Sequence, residues 1–510
     1  MDEVVVSASR LRPFDPRDGF GGVRAIVNIQ APAWWDARAR KVRPFNAFGF
    51  DSAQADPNPD LLSVTVTKSL GQPCGAFSLN FAPRTISEDG YLWGDVIPPY
   101  SLVEIWMQRY PQDEQPVLVS LGLTDGDQYT GSFGQKDPHR TITVSGREVS
   151  CVLADQHTLY LPAGPEAVSP TVVSNDEWAQ AGLPALPPIF QSSAQLLGIV
   201  AIDPELAEQG ANPIQVIQRF LQTVTTGYRS GWNKQGLPLL QLRLGSDLKD
   251  ILVFNAAAAS LFDARAILPS SSQSVNSNVP LWSLMSTWSD PTYQELFPRS
   301  VVSADGQTAV EVVFRKKPFG GRLDAQGHFL GVPDASGSQF DATFVSDDDQ
   351  NFQIRDEDVI NASLRRGLTD AVNLYRVWPQ TLFGNDPEEM AALLSPLIEA
   401  SEQAPSDARR IGLRLMDVSD YYFKDVLTTD TLKQSKQREK LLWYWHRFEP
   451  LFRRGRYVTK LIPRANIGMR MLHTGEQDTE FYTTGVTHTI SFGPEVVATS
   501  ALDVMRGWPV

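Results

Sequence analysis

The sequence predicts a β-rich α+β protein, and three observations lead to this class. Apolar residues over positions 60–147 alternate with polar ones, which is the period of a β-strand. Fewer segments, among them residues 280–288 and 431–449, repeat their apolar residues at helical spacing. The chain of 510 residues exceeds what one hydrophobic core usually supports, so we expect two to four domains.

Residues 60–159 form the first predicted domain, a small antiparallel β-barrel. Turn residues such as Asp89-Gly90 and Asp125-Gly126 separate short strands, and several strands at this spacing are typical of such a barrel. We expect a helix over residues 148–155, where the β period stops. The predicted strands contain Val64–Val66, Phe77–Phe81, Leu102–Trp106, Val117–Val119 and Thr141–Val144.

Two segments have no sustained period. Residues 1–59 are rich in Pro, Gly and aromatic residues, and we predict an irregular arm that packs on another surface or caps its own domain. Residues 160–275 are mixed, with a helix start at Asn212-Pro213, where an N-cap side chain precedes a proline. We interpret this second segment as an inserted domain with linkers.

The rest of the chain mixes helices and strands. Residues 276–365 begin with the helix at 280–288 and continue as strands, and residues 366–430 predict an α/β domain. Residues 431–510 predict a helix to Glu449 followed by a C-terminal β-hairpin. The α/β domain has a predicted strand at Val372–Trp378 and a helix capped at Asn385, with Met390, Leu393, Leu394 and Leu397 on its buried face.

The stretch from Gly475 to Pro509 has the clearest β pattern in the chain. Gly493-Pro494 separates two alternating runs and predicts the turn of a hairpin. Each run is expected to place its apolar residues on one face of a strand. These residues are Tyr482, Val486, Ile490 and Phe492 in the first run, and Val496, Ala498, Leu502 and Val504 in the second.

Composition and charge exclude several classes of protein. The net charge of −14 argues against a protein that grips nucleic-acid phosphates, because that binding needs clustered Lys and Arg. Cys74 and Cys151 sit beside strand-like runs and predict two buried thiols. The acidic amino terminus disfavours a signal peptide, and no segment approaches the roughly 20 apolar residues of a membrane span. We therefore expect folding in cytoplasm.

Sequence motifs for catalysis are missing. The chain has no His-Glu-x-x-His, Cys-x-x-Cys, Gly-x-Ser-x-Gly or Walker sequence. The six histidines are far apart, His446 and His488 favour structural roles, and Cys151 with His157 lacks an orienting third group. We predict no enzyme activity, no catalytic, cofactor-binding or metal-binding residues, and no cofactor.

Three charged runs allow more than one interpretation. Asp347–Asp358 places oxygens at alternate positions as a calcium loop does, but Phe352 stands where such a loop has glycine, so a solvated acidic loop is favoured. Whether this loop binds an ion stays open. The basic runs Arg315–Lys317 and Arg453–Arg456 either contact acidic partner subunits or lie at solvent-facing ends of elements.

A series of short motifs, in their order along the chain, resembles the baseplate hub proteins of bacteriophage tails and related injection machines. Together they cover most of the chain after residue 60. They are Val144-Ser145-Gly146-Arg147-Glu148, Val279-Pro280-Leu281-Trp282, Glu295-Leu296-Phe297, Phe314-Arg315-Lys316-Lys317-Pro318-Phe319, and Phe481-Tyr482-x-x-Gly485-Val486-x-His488-x-Ile490-x-Phe492 with a closing Arg506-Gly507.

The resemblance implies two tube-like antiparallel β-barrels per chain, the second over residues 276–365, with inserted and appended α/β domains. Three chains would form a ring around a central channel and connect the sixfold tail tube to the threefold spike or fibre tip. The acidic charge then either lines a channel that DNA passes without specific binding, or only keeps the protein soluble.

The resemblance also implies partners and a location. The implied partners are tail tube or distal tail proteins, the central spike protein, and possible contacts with the tape-measure protein and the surrounding wedge proteins. The implied location is the tail baseplate of a virion, assembled in the host cytoplasm without membrane insertion. Contractile tails, flexible tails and injection devices all stay open.

Two other functions also stay open. A cell-wall hydrolase would act through two of the 59 acidic residues, although a hairpin at the end of this sequence leaves no room for a lytic extension. A carbohydrate-binding β protein would use tryptophans as stacking platforms. Core packing explains the periodic tryptophans Trp106, Trp282, Trp288 and Trp445 better, with Trp34-Trp35 and Trp232 as exceptions.

Overall fold

The computed structural model describes most of the chain outside residues 156–279. The described residues are 22–53, 60–86, 90–131, 140–155, 221, 240–244, 280–289, 291–303, 306–319, 322–323, 329–330, 351–379, 391, 395–402, 404–420, 429–475, 478–492 and 496–509. Within these ranges, no helix has both the length and the apolar character needed to cross a bilayer.

Strands dominate the described residues, as the predicted β-rich α+β class requires. The strands are β1 (Val23–Ala31), β2 (Trp34–Asp36), β3 (Lys41–Arg43), β4 (Asn46–Asp51), β5 (Leu61–Ser69), β6 (Ala76–Phe81), β7 (Leu102–Arg109), β8 (Val117–Gly131), β9 (Arg140–Glu148), β10 (Leu240–Leu244), β11 (Gln294–Val302), β12 (Thr308–Lys316), β13 (Arg322–Leu323), β14 (Phe329–Leu330), β15 (Asn351–Arg355), β16 (Val359–Arg365), β17 (Leu374–Pro379), β18 (Leu397–Ile398), β19 (Leu415–Asp420), β20 (Arg453–Lys460), β21 (Arg470–Thr474), β22 (Thr479–Ser491) and β23 (Val497–Pro509).

Helices are few and mostly short. They are α1 (Trp93–Val96), α2 (Cys151–Asp155), α3 (Leu281–Trp288), α4 (Ala408–Ile411) and α5 (Thr429–His446), with 3₁₀ turns at Asp356–Asp358 and Glu449–Leu451. The predicted helices after Gly146 and over residues 280–288 are thereby confirmed. The predicted last helix ends at His446, three residues before Glu449, and Pro450 lies in the 3₁₀ turn that follows.

One large sheet contains the majority of the strands. Its order is β16-β20-β23-β22-β5-β6-β9-β8-β7-β1-β4, and β21 joins it on β22 with β15 alongside. The sheet curls so that its two ends approach each other. Arg109, the last residue of β7 near one end, lies 2.9 Å from Asp358, which directly precedes β16 at the other end. The predicted strands of residues 60–147 are therefore confirmed as β5 to β9.

The C-terminal hairpin lies in the middle of this sheet. β22 and β23 pair antiparallel, with Val486 opposite Leu502, and β22 also pairs antiparallel with β5, with His488 opposite Val66. The predicted hairpin is confirmed, while its turn residues Gly493-Pro494 lie outside the described residues. The hairpin thus joins two groups of strands that are far apart in sequence.

The prediction that Tyr482 and Val486 share one face of β22 is wrong. The β22–β23 pairing shifts between Thr483 and Gly485, and such a bulge changes which face the following side chains occupy. Phe481 therefore lies with Val486 in one core cluster, and Tyr482 points to another cluster on the opposite side.

The described part of the chain has four hydrophobic clusters, of which the three larger ones join its elements. The first lies among β1 and β5 to β9 and includes Ile490 and Phe492 of the hairpin. The second packs β11 and β12 against β15, β20 and the hairpin, through residues such as Phe297 and Tyr457. The third packs α5 against β17, with Trp445 only 1% exposed.

The expectation of an irregular N-terminal arm is wrong for residues 22–53. β1 lies between β4 and β7 in the main sheet, with Val27 opposite both Phe50 and Ile105. Its buried side chains alternate for only part of its length, since residues 24–27 are all buried. The sequence of β1 nevertheless has the β period, because positions 23, 25, 27, 29 and 31 are all apolar and only Ile26 interrupts the alternation with polar residues. A signal for this strand was therefore present in the sequence and was missed.

The expectation of a second barrel within residues 276–365 is wrong in its extent. β12 pairs with β11 and also with β10, from the predicted insert. β15 pairs with β21 and β16 with β20, both from the predicted last domain. Leu397 lies in the short strand β18 and not on the predicted helix. The helix start at Asn212-Pro213 and the residues Asn385, Met390, Leu393 and Leu394 lie outside the described part of the chain. The other domain boundaries stay predictions.

Gly146 provides a test of the packing between β6, β8 and β9. A Cβ at this position would lie 2.2 Å from the Leu123 carbonyl oxygen and 2.3 Å from the Phe77 ring, so we expect Gly146→Ala to lower the free energy of unfolding by about 1–3 kcal/mol. Gly126→Ala is the matched control, because nothing lies within 4 Å of its Cβ position. Urea unfolding of both variants measures the difference. Equal stabilities would contradict this account of the packing.

Candidate functional site

A buried ion pair connects the first group of strands to β11. Lys68 Nζ lies 2.6 Å from Glu148 Oε1, with the two side chains 3% and 0% exposed. Glu148 also accepts hydrogen bonds from the Gly75 amide at 3.0 Å and from the Ser300 hydroxyl at 2.8 Å. The Leu121 amide donates to Ser300 Oγ at 3.1 Å. These contacts fasten β11 to the main sheet.

A second buried ion pair fastens β11 and β12 to the C-terminal hairpin. Arg315 Nε lies 2.6 Å from Glu295 Oε1, and the Tyr482 hydroxyl donates to Glu295 Oε2 at 2.5 Å. Arg315 also donates to the Gly468 carbonyl. Burial raises the pKa of Tyr482 well above its ordinary value, so the phenol stays protonated and donates. Arg315 is therefore neither a partner-binding nor a solvent-facing residue.

The Arg506-Gly507 motif fixes α5 to the hairpin. The Arg506 guanidinium lies 4.2 Å from the Phe319 ring centroid and 4.6 Å from that of Phe452, and its Nη1 donates to the Trp445 carbonyl at 2.9 Å. Burial lowers the pKa of Arg506 to about 10, which leaves it charged at neutral pH. A cation at the C-terminal end of a helix is favourable, because the helix dipole is negative there.

His488 is a buried structural histidine, as the sequence predicted. Its Nδ1 lies 2.8 Å from Ser500 Oγ and its Nε2 lies 3.0 Å from the Ala465 carbonyl oxygen. The carbonyl requires a proton on Nε2, so Nδ1 accepts from the serine hydroxyl. Burial lowers the pKa of His488 to about 4, and the neutral ring therefore prevails at pH 7.

One hydrogen-bonded chain has the order of a catalytic relay. Tyr457 Oη lies 3.2 Å from His473 Nδ1, and His473 Nε2 lies 2.9 Å from Asp356 Oδ1. Tyr457 is 2% exposed, however, and burial raises its pKa to about 12. A nucleophile needs access to substrate and an activating base, so this chain supports β20 and β21 and does not suit catalysis. His446 pairs with Glu449 at 3.1 Å, which is also a structural contact.

The two cysteines are free thiols. Cys151 is buried and Cys74 is partly exposed, and burial raises the pKa of Cys74 to about 11 and that of Cys151 to about 12. The prediction of two thiols without a disulfide is confirmed, although Cys74 is less buried than expected. A protonated thiol is a poor nucleophile. His157, the proposed partner of Cys151, lies outside the described residues.

The remaining charged runs make contacts within the chain. Asp358 pairs with Arg109, and Asp356 pairs with His473. The second basic run is used in the same way, because Arg454 pairs with Asp370. Over the residues that the structure describes, no group of three His, Cys, Asp or Glu side chains could hold a metal ion. Asp347–Asp349 lie outside those residues, so the calcium hypothesis stays a prediction.

Tryptophans divide into core and surface residues. Trp106 and Trp445 are buried, as predicted, whereas Trp35 is 61% exposed. Trp35 lies opposite Val42, which is 62% exposed, in the hairpin of β2 and β3. The side chain of Trp288 and the whole of Trp232 lie outside the described set.

The two ends of the main path of strands, β4 and β16, are the candidate functional surfaces; β15 is a further edge strand of the described sheet, since it pairs only with β21. Among the described strands, β4 pairs only with β1, and β16 pairs only with β20. An edge strand presents unpaired N–H and C=O groups that another chain can meet, and proteins usually protect such edges with charges, prolines or covering loops. β16 instead exposes four consecutive residues, 360–363, and Ile360 is 58% exposed.

Sequence reasoning missed the buried charges, although a signal was present. Lys68 continues the inward positions Val64 and Val66, and Glu148 continues the inward positions Ile142 and Val144. A charged side chain at a strand position that points toward the core needs a buried partner of opposite charge. The sequence does not show that Glu148 is the partner of Lys68, because the two residues are 80 positions apart.

Comparison with known proteins finds similarity among solved structures only. The chain matches no protein-family model and no curated protein. It is similar to a tail protein from Neisseria meningitidis MC58 (11% identity, TM-score 0.40, covering 95% of this chain and 96% of that one). It is also similar to the 43 kDa tail protein of prophage MuSo2 from Shewanella oneidensis (10% identity, TM-score 0.43, 95% and 98%). A third similar chain belongs to the Francisella PdpA–VgrG complex (6% identity, TM-score 0.41, 96% and 53%).

Two of these structures are tail proteins and the third belongs to a VgrG complex, which are the kinds of protein that the sequence motifs resemble. TM-scores below 0.5 are too low to transfer a function.

His488 makes folding stability depend on pH. Its pKa is about 4 in the folded chain against 6.5 in a free side chain, so below pH 6.5 the unfolded chain binds a proton that the folded chain excludes. Stability is full above pH 6.5 and falls toward pH 4, by up to about 3 kcal/mol from this residue. Urea unfolding from pH 7 to 4 should decline less steeply in His488→Gln. Identical pH profiles would contradict the assignment.

The Lys68–Glu148 pair is expected to be essential for stability. Lys68→Met leaves the Glu148 carboxylate buried without its cation, which should lower the free energy of unfolding by about 3–5 kcal/mol. Lys68→Met with Glu148→Gln should recover most of this loss. Arg355→Met is the control, because it removes an exposed pair with Glu357 and should change the free energy by less than about 1 kcal/mol. Denaturant titration measures the free energy of unfolding of each variant, and equal losses in Lys68→Met and Arg355→Met would contradict an essential role for the buried pair.

Proposed function

We propose that the protein is a structural hub of a phage tail or a related injection machine, and not an enzyme. In this proposal three copies form a ring around a central channel, through which DNA passes without specific binding. The ring connects the sixfold tail tube, or distal tail proteins, to the threefold central spike. Tape-measure and wedge proteins are further proposed partners, and the proposed location is the tail baseplate of the virion.

The observation that carries this proposal is the single curled sheet, whose main path of strands ends at β4 on one side and at β16 on the other. The C-terminal hairpin joins two groups of strands through the β22–β5 pairing, so the two ends of the main path, β4 and β16, come from different groups. We propose that these groups are the two tube-like units of the hub. Two similar units in each of three chains would offer six positions to a sixfold tube while keeping threefold symmetry for a spike.

The contacts of the buried carboxylates support a role without catalysis. Glu148 and Glu295 are buried and saturated by ion pairs and hydrogen bonds. A glycosidase needs two carboxyl groups facing one cleft, one of them free to give a proton. In the described residues the buried carboxylates instead hold strands together, and we infer a structural role in preference to a cell-wall hydrolase.

Molecular mass in solution tests the proposal. The hub predicts a trimer of about 170 kDa, which is three times the chain mass of 56.5 kDa. Light scattering after size-exclusion chromatography measures this mass directly, and electron micrographs should show a ring with a central opening. A chain that stays at 56.5 kDa at every attainable concentration would contradict the trimeric hub. A zymogram on cell-wall substrate separates this role from the hydrolase, which would leave a cleared band.

A further inference from the structure

The basic hairpin of β2 and β3 stands out in an acidic protein. Residues 38–43 hold four cations, and Arg40 and Lys41 are exposed without an ion-pair partner among the described residues. Trp35 and Val42 lie opposite each other on the same hairpin and are both more than 60% exposed. Exposed aromatic residues beside cations are typical of interaction surfaces. We call Trp35, Arg40, Lys41 and Val42 the hairpin surface.

The base of this hairpin is held rigidly. Asp36 is buried and lies 2.7 Å from Arg43 Nε and 3.0 Å from the Tyr91 hydroxyl. The guanidinium groups of Arg38 and Arg43 each lie 4.7 Å from the Tyr91 ring centroid. The Ala39 amide is the main cause that lowers the pKa of Asp36 to about 2, so the carboxylate stays charged at neutral pH. A rigid loop loses little entropy on binding, which suits a docking element.

An acidic surface with an exposed apolar residue lies at the other edge of the main sheet. Asp356 and Glu357, in the turn before β16, have side chains that are 65% and 70% exposed. Ile360, at the start of β16, is 58% exposed. We call these three residues the acidic edge. Asp356 lies 2.9 Å from His473, and Glu357 lies 3.5 Å from the exposed Arg355. Docking would exchange these exposed pairs, which are weak, for pairs with the cations of the hairpin surface.

The two surfaces lie too far apart to meet within one chain. The hairpin surface follows Ala31, at the C-terminal end of β1. The acidic edge is fixed near the other end of β1, because Asp358 pairs with Arg109 and Arg109 lies opposite Val23. The nine residues of β1 span about 26 Å. Contact between the two surfaces therefore requires a second chain.

We propose that the hairpin surface of one copy docks on the acidic edge of the next copy. Two different patches that meet between identical chains form a heterologous contact, which closes into a ring when the rotation between copies allows it. This inference rests on the proposed hub function and names the contact that would assemble the ring. Arg40 and Lys41 face Asp356 and Glu357 across the contact, with Trp35 and Val42 packed against Ile360.

A charge-swap experiment tests the pairing. Arg40→Glu with Lys41→Glu places like charges across the contact, and we expect self-association to weaken by roughly a hundredfold. Asp356→Lys with Glu357→Lys should weaken it equally. The protein that carries all four changes restores opposite charges and should associate within about tenfold of the wild type. Sedimentation equilibrium measures the association, and circular dichroism checks that each variant is folded.

The control variant reverses two exposed charges elsewhere. Glu402→Lys with Lys440→Glu alters one acid and one base outside both surfaces, and its association should match the wild type. Trp35→Ala tests the apolar part separately and should weaken association without any rescue by the charge swap.

The outcomes separate this inference from the hub itself. A trimer that neither double reversal weakens overturns the named contact and leaves the hub standing. Loss of the trimer in the Arg40 and Lys41 variant, without recovery in the fourfold variant, also overturns it and points to a different acidic partner for the hairpin. A wild-type chain that never associates overturns both.

Discussion

Pairing between β22 and β5 is the constraint on which the rest of the structure depends. Seven residues of each strand face one another, from Gly485 opposite Ser69 to Ser491 opposite Ser63, although more than 400 positions separate them in the sequence. Without this pairing, the strands of residues 61–148 and those of residues 453–509 would form two separate sheets. It also places Ile490 and Phe492 in the first core cluster and Val486 in the second, so one strand contributes to both.

Buried polar groups secure the same junction. Lys68 is the last but one residue of β5, and its ion pair with Glu148 lies close to His488 on the neighbouring strand. Arg315 and Glu295 hold the β11–β12 pair onto the hairpin from the other side. Buried charges stabilise little on balance but are very costly to separate, so they favour one arrangement of the strand groups over others. A scaffold that presents both edges in a fixed relation needs such specificity.

The open edges carry the functional interpretation. The buried ionisable groups Lys68, Glu148, Glu295 and Arg315 make contacts that hold strands together. Exposed charges lie in the hairpin after β1 and in the turn before β16. This distribution is what an assembly component needs, because its work consists of contacts between chains. In the proposed hub, local patches of opposite sign select particular contacts on a chain whose net charge is −14.

Local pattern in the sequence determined the β-rich class, the strands β5 to β9, the C-terminal hairpin and the buried roles of His488 and Trp445, because period and parity are properties of neighbouring residues. Only the tertiary structure decided that β1 lies between β4 and β7, that a bulge turns Tyr482 away from Val486, and that Lys68 meets Glu148. Each of these features depends on a partner that is distant in the sequence. The local hydrophobic pattern of one sequence does not specify which distant strand or charged residue that partner is.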